Sequence, residues 1–122
     1  MRVLVCGSRN WEDGDHIYKV LKAMRPQTKL IIQGGCKGAD LYALQAAKEL
    51  RIPYVTFEAD WKTHGKAAGP IRNAKMLRDA KPTIVLIFHE EFKLGTGSRD
   101  MYDRAFFAGI PIRIYPPKPR KK

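Results

Sequence analysis

The sequence predicts a single α/β domain: a doubly wound, Rossmann-like parallel sheet of about five strands with helices on both faces. Three observations predict it. Short apolar runs alternate with helical patterns along the chain, and residues 83–88, Thr-Ile-Val-Leu-Ile-Phe, are apolar enough for a strand covered on both faces. Glycine-rich turns also follow the second and fourth of these runs.

Val3-Leu4-Val5-Cys6 reads as a buried strand opening into Gly7-Ser8-Arg9-Asn10. Asp13 or Asp15 caps a helix whose Ile17, Val20, Leu21 and Met24 fall at i, i+3, i+4 and i+7, and Pro26 stops it. Leu30-Ile31-Ile32 is the second strand. It runs into Gly34-Gly35-Cys36-Lys37-Gly38-Ala39-Asp40, where Asp40 reads as the N-cap of a helix carrying Leu41, Leu44, Ala47 and Leu50 on one face.

Residues 53–57 form a third strand, rich in β-branched and aromatic side chains. Residues 58–69, with Trp61, His64 and Lys66, read as a long functional loop. Pro70 suits the first position of the next helix, whose core face is Ala74, Leu77 and Ala80. The strand at 83–88 is expected to be central. Beyond it, Gly95-Thr96-Gly97-Ser98 is a second glycine turn, with Ser98 capping a helix that bears Tyr102, Ala105 and Phe106 and stops at Gly109. Residues 110–115 make a fifth strand, placed at an edge by Pro111. The domain is thus 1–115, and 116–122 form a basic Pro/Lys-rich tail.

Composition narrows the function. A chain of 122 residues fits one domain, and no apolar run approaches the roughly 20 residues needed to span a bilayer. A strand beginning just after Met1 leaves no room for a signal peptide, so the expected compartment is the cytoplasm, with no membrane partner. Cys6 and Cys36 form no metal-binding spacing and His16, His64 and His89 are scattered, so neither metal nor cofactor is expected and the thiols read as structural. The formal net charge of +11 predicts an anionic partner: a nucleotide, or nucleic acid held by the basic surface and tail. Adjacent Phe106 and Phe107 expose apolar area on two helix faces, a surface for a second subunit in a homo-oligomer.

In doubly wound sheets ligands sit beyond the carboxyl ends of the strands. Ser8-Arg9, residues 34–40 and residues 95–98 all leave on that edge. Gly34, Gly35, Gly38 and Gly97 would bring backbone N–H groups to a phosphate, with Arg9, Lys37 and Arg72 as countercharge. Trp11 and Trp61 offer ring faces to a base.

Four motifs in order, Gly7-Ser8-Arg9-Asn10-Trp11, Gly34-Gly35-x-x-Gly38-Ala39-Asp40, Gly69-Pro70-Ile71-Arg72-Asn73-x-x-Met76 and Gly95-x-Gly97-Ser98, resemble the SLOG superfamily, above all its small YspA-like branch. The resemblance spans nearly the whole domain. It implies a Rossmann-like sheet binding a nucleotide or nucleotide-derived ligand, and it adds Gly7, Ser8, Asp40, Asn73, Gly95 and Ser98 to the expected ligand-binding set. In relatives the ligand is a substrate, a signal or single-stranded DNA, and some members occur in phages.

The LOG phosphoribohydrolases of this superfamily suggest an alternative, cleavage of a nucleoside 5'-monophosphate. Arg72 and Met76 match one of their motifs, with Asn73 in place of its lysine. In the other, Lys93 and Leu94 replace a proline and a glycine, Ser98 a threonine, and Met101 the catalytic glutamate. Since a thioether can neither stabilise a ribosyl cation nor move a proton, the candidates for turnover are Arg72, Asp40 and Asp100, with Asp60 as a further carboxylate. Asp100 lies about 100° around the helix from Met101.

Overall fold

The computed structural model describes residues 1–89 and 96–116, the side chain of Thr96 excepted. The elements are β1 Arg2–Gly7, α1 Gly14–Met24, β2 Leu30–Gln33, α2 Ala39–Leu50, β3 Tyr54–Thr56, α3 Trp61–His64, α4 Ala68–Lys75, β4 Ile84–Phe88, α5 Thr96–Phe107 and β5 Ile112–Tyr115. All strands pair in parallel in the order β3-β2-β1-β4-β5. The order reverses at β1, so the crevice between β1 and β4 is the topological switch point.

Alternation along each strand divides the core. Val3, Val5, Ile31, Leu86 and Phe88 pack with Ile17 and Leu21 of α1 and with the alanine face of α2, Ala39, Ala43, Ala46 and Ala47. Leu4, Ile32, Val85 and Ile87 point to the opposite face, against Met76, Ala80, Met101 and Ala105. Small side chains on α2 let that helix lie close to the sheet. The middle strand is β1, and β4, although wholly buried, lies one place nearer the edge formed by β5.

Local chemistry explains the boundaries. Asp13 caps α1 by accepting from the His16 N–H at 3.0 Å, and a 3-10 turn containing Pro26 follows the helix. Gly109, at φ +73°, ends the last helix, and the Ile110 N–H returns to the Ala105 carbonyl. Three expectations need correction. Residues 58–69 are no open loop: Asp60 caps α3, a 3-10 turn covers Gly65–Ala67, and α4 starts at Ala68, which makes Pro70 its third residue. Residues Met76–Ala80 continue α4 as a π turn. Ser98 lies inside the first turn of α5 and does not precede it.

Trp11 is also corrected as a base-stacking residue. It is 3% exposed, meets Phe88 edge-on with ring centroids 5.6 Å apart, and donates Nε1–H to the Asp13 carbonyl. It is a core plug. Phe106 and Phe107 are exposed as expected, Phe107 by 86%. No helix among the described residues is long and apolar enough to cross a membrane. Gly95 and residues 117–122, which include the basic end of the tail, lie outside the described residues.

Candidate functional site at the carboxyl edge of the sheet

Ser8 ties the first loop in place. Its N–H donates to the Phe88 carbonyl at 2.9 Å, its carbonyl accepts from the Ala39 N–H at 3.1 Å, and its Oγ accepts from the Asn10 N–H at 3.0 Å. The end of β1 is thereby fixed to the end of β4 and to the start of α2. Gly38 makes this approach possible: at φ +87°, a Cβ there would come within 2.3 Å of the Ser8 carbonyl oxygen.

Asp40 does something the sequence did not suggest. Gly38 holds the N-cap position of α2, and the Asp40 side chain turns backwards, accepting at Oδ2 from the Gly34 N–H at 3.1 Å and the Cys36 N–H at 3.3 Å. The Gly35 N–H donates to Gln33 Oε1 at 2.6 Å. The N–H groups of Gly34 and Gly35, expected to face a phosphate, are therefore engaged by this chain's own side chains, as is that of Cys36. A buried carboxylate occupies the turn where an external anion was expected.

Arg72 reaches this turn from α4. Its Nη1 donates to the Gly34 carbonyl at 3.1 Å and lies 3.6 Å from Cys36 Sγ, while Nε donates to Asn73 Oδ1 at 2.9 Å. Gly34 leaves the space for it, since a Cβ there would stand 2.2 Å from Nη1. Burial pushes the Asp40 carboxyl up to about 6, opposed by the charge of Arg72, the two backbone donors and the charge of Arg9. Desolvation, reinforced by the Asp40 charge and opposed by that of Arg72, raises the Cys6 thiol well above its ordinary range, so Cys6 is a neutral thiol near neutrality.

Asn73 couples two helices. Its buried Nδ2 donates to the Gly97 carbonyl at 3.2 Å and to Asp100 Oδ2 at 3.0 Å, and Arg104 Nε donates to the same carboxylate oxygen at 2.8 Å. Asp100 is thus engaged in linking α4 to α5. Met101 is fully buried among the apolar residues of the second core face, so a glutamate there would enter the core. Asp60 is exposed and engaged at the start of α3, accepting from the Thr63 N–H at 3.2 Å. Among the described residues no group of three or more His, Cys, Asp or Glu could hold a metal ion.

Two exposed cations stand at the rim. Arg9 and Lys37 line an open groove of about 450 Å³ with Asn10, Gly38, Leu41 and Tyr42. The Arg9 guanidinium lies over the ring of Trp61, 5.3 Å from its centroid. Sequence reasoning missed this pair, and it missed Gln33, whose Nε2 donates to Thr56 Oγ1. A buried glutamine ending an apolar strand was the available signal for the latter.

The fold and this edge define an open, parallel, Rossmann-like α/β protein. Residues 1–64 match the YspA, cpYpsA-related SLOG family, called YAcAr, and the chain belongs to that family. It is similar to the Gene 61 protein of Mycobacterium phage D29, 34% identical over 97% of this chain and 98% of the relative. Among solved structures, DNA processing protein A (DprA) from Streptococcus pneumoniae superposes with a TM-score of 0.78 at 20% identity. That match covers 96% of this chain but only 50% of DprA, and it shows the fold alone. A weaker overlap with glycinamide ribonucleotide transformylase 1 from Geobacillus kaustophilus, TM-score 0.48 at 14% identity over 85% of this chain and 55% of that one, carries no argument.

Proposed function

We propose that this protein binds a nucleotide or nucleotide-derived, phosphate-bearing ligand at the carboxyl edge of the sheet. One observation carries the reading: Arg9, Lys37 and Arg72, from three separate segments, gather around one turn at the strand ends. Arg9 and Lys37 meet the phosphate beside Gly38, because the donors of Gly34, Gly35 and Cys36 are already engaged. Arg72 and Asp40 hold the turn from beneath. Membership of the SLOG family and the net charge of +11 support the same reading.

Thermal melting and calorimetry with linear, cyclic and dinucleotide ligands test it. A ligand that binds only the folded state raises the melting temperature, and Arg9→Ala with Lys37→Ala lowers its affinity. If no nucleotide stabilises the folded protein, the proposal fails. Chromatography of the same mixtures tests the hydrolytic alternative: free base released by wild type and not by Asp40→Asn would make the protein an enzyme. A second reading, single-stranded nucleic-acid binding, is favoured by the net charge and by an exposed arginine and tryptophan lying together. It requires oligonucleotide affinity that falls steeply with salt.

A further inference from the structure

We infer that Trp61, paired with Arg9, is the nucleobase seat of this site, so that the ligand is recognised as a whole nucleotide and not as a sugar phosphate. The inference rests on the proposed ligand-binding role. Arg9 follows β1 and Trp61 begins α3, which follows β3, and β2 lies between those two strands. The Arg9 side chain therefore crosses the carboxyl end of β2, above the turn that holds Asp40, whose carboxyl group feels its charge. Trp61 is 45% exposed, unlike the buried Trp11. Its ring edge lies over the start of α4, where a Cβ on Gly69 would be 3.5 Å from Cη2, three residues before Arg72.

The arrangement places one flat apolar surface beside Arg9, one of the cations that would hold a phosphate. A guanidinium over a solvent-exposed indole is bound weakly enough to be replaced, because water screens the attraction. A purine or pyrimidine has the same planar shape and stacks on the ring. Arg9 then turns from the indole to the ligand phosphate, exchanging a cation–π contact for a charge-assisted hydrogen bond. Trp61 would supply discrimination for a base, and the rim cations affinity for the anion.

The experiment titrates wild type, Trp61→Ala, Trp61→Phe and Arg9→Ala with adenosine 5'-monophosphate, uridine 5'-monophosphate and ribose 5-phosphate, following calorimetry and tryptophan fluorescence. Both nucleotides are expected to quench wild-type fluorescence. Trp61→Ala is expected to weaken them by about tenfold or more, the scale of one lost base–aromatic stack, and Trp61→Phe to restore part of the loss. Arg9→Ala should weaken all three ligands, and ribose 5-phosphate should not distinguish Trp61→Ala from wild type. Nucleotide affinity unchanged in Trp61→Ala, with Arg9→Ala still impaired, would overturn the base seat and leave the phosphate site standing. Loss of ribose 5-phosphate together with the nucleotides in a folded Trp61→Ala variant would also overturn it, as would binding confined to oligonucleotides. Failure of these ligands and of the cyclic and dinucleotide ligands to bind wild type would overturn the underlying proposal, whereas a cyclic or dinucleotide ligand that binds equally well to Trp61→Ala would overturn the base seat alone.

Discussion

Asp40 and Arg72 meet at one glycine: Gly34 donates its N–H to the Asp40 carboxylate at 3.1 Å and accepts at its carbonyl from Arg72 Nη1 at 3.1 Å. The two charges are matched across one glycine. The turn is consequently a built part of the fold, and the residues that order it differ from those that face solvent at its rim.

Glycine substitutions should separate these roles. Gly38→Ala forces a Cβ against the backbone of Ser8 and Arg9 at a positive φ, so it should destabilise by about 1–3 kcal/mol in urea melts. Gly34→Ala meets the end of the Arg72 side chain instead, so it should keep more stability but displace the guanidinium. Gly97→Ala, with open space around its Cβ, should change stability by less than about 1 kcal/mol.

Asp40 should give stability a pH dependence of unusual sign. Its folded value, about 6, lies above the ordinary 3.8, so between these values the folded state holds the proton more often than the unfolded chain. This group's contribution is greatest below pH 4 and falls as pH rises through 6. The difference between 3.8 and about 6 corresponds to roughly 3 kcal/mol. Urea melts from pH 4 to 7 should show that slope in wild type and its loss in Asp40→Asn; equal slopes would contradict it.

Met101→Glu tests the hydrolase resemblance at its weakest point. An unpaired carboxylate in this core should destabilise by about 3 kcal/mol or more, and base release should not appear. Met101→Leu should cost less than about 1.5 kcal/mol. A stable Met101→Glu variant that releases base would show that this position faces the ligand.

Asn73→Ala should loosen α4 from α5. It removes the donor shared by the Gly97 carbonyl and Asp100, at a cost of about 1–3 kcal/mol. Hydrogen exchange should rise first in the opening turn of α5, and uniform exchange across the domain would contradict this.

The sheet was legible because its strands are short apolar runs at regular spacing, and the placement of β5 at an edge followed from Pro111. The helix Trp61–His64 was not, since four residues carry no 3.6-residue periodicity. The shared edge of Ser8-Arg9 and residues 34–40 followed from topology, and the approach of Arg72 from its place in the helix behind Gly69-Pro70. The backward bonds of Asp40 did not: its residue type fits an N-cap equally well, and only the positive φ of Gly38 moves the helix start and redirects the carboxylate. Trp11 and Trp61 look alike in sequence as aromatics near loops, and their packing against Phe88 and Arg9 respectively sets them apart.

Backbone amide chemical-shift mapping during a nucleotide titration tests nucleotide binding at this edge residue by residue. Saturable shifts are expected to concentrate at residues 8–10, 36–39 and 60–62, with smaller changes at Arg72 and Asn73. Shifts confined to α5 and β5, or none at saturating nucleotide, would contradict it.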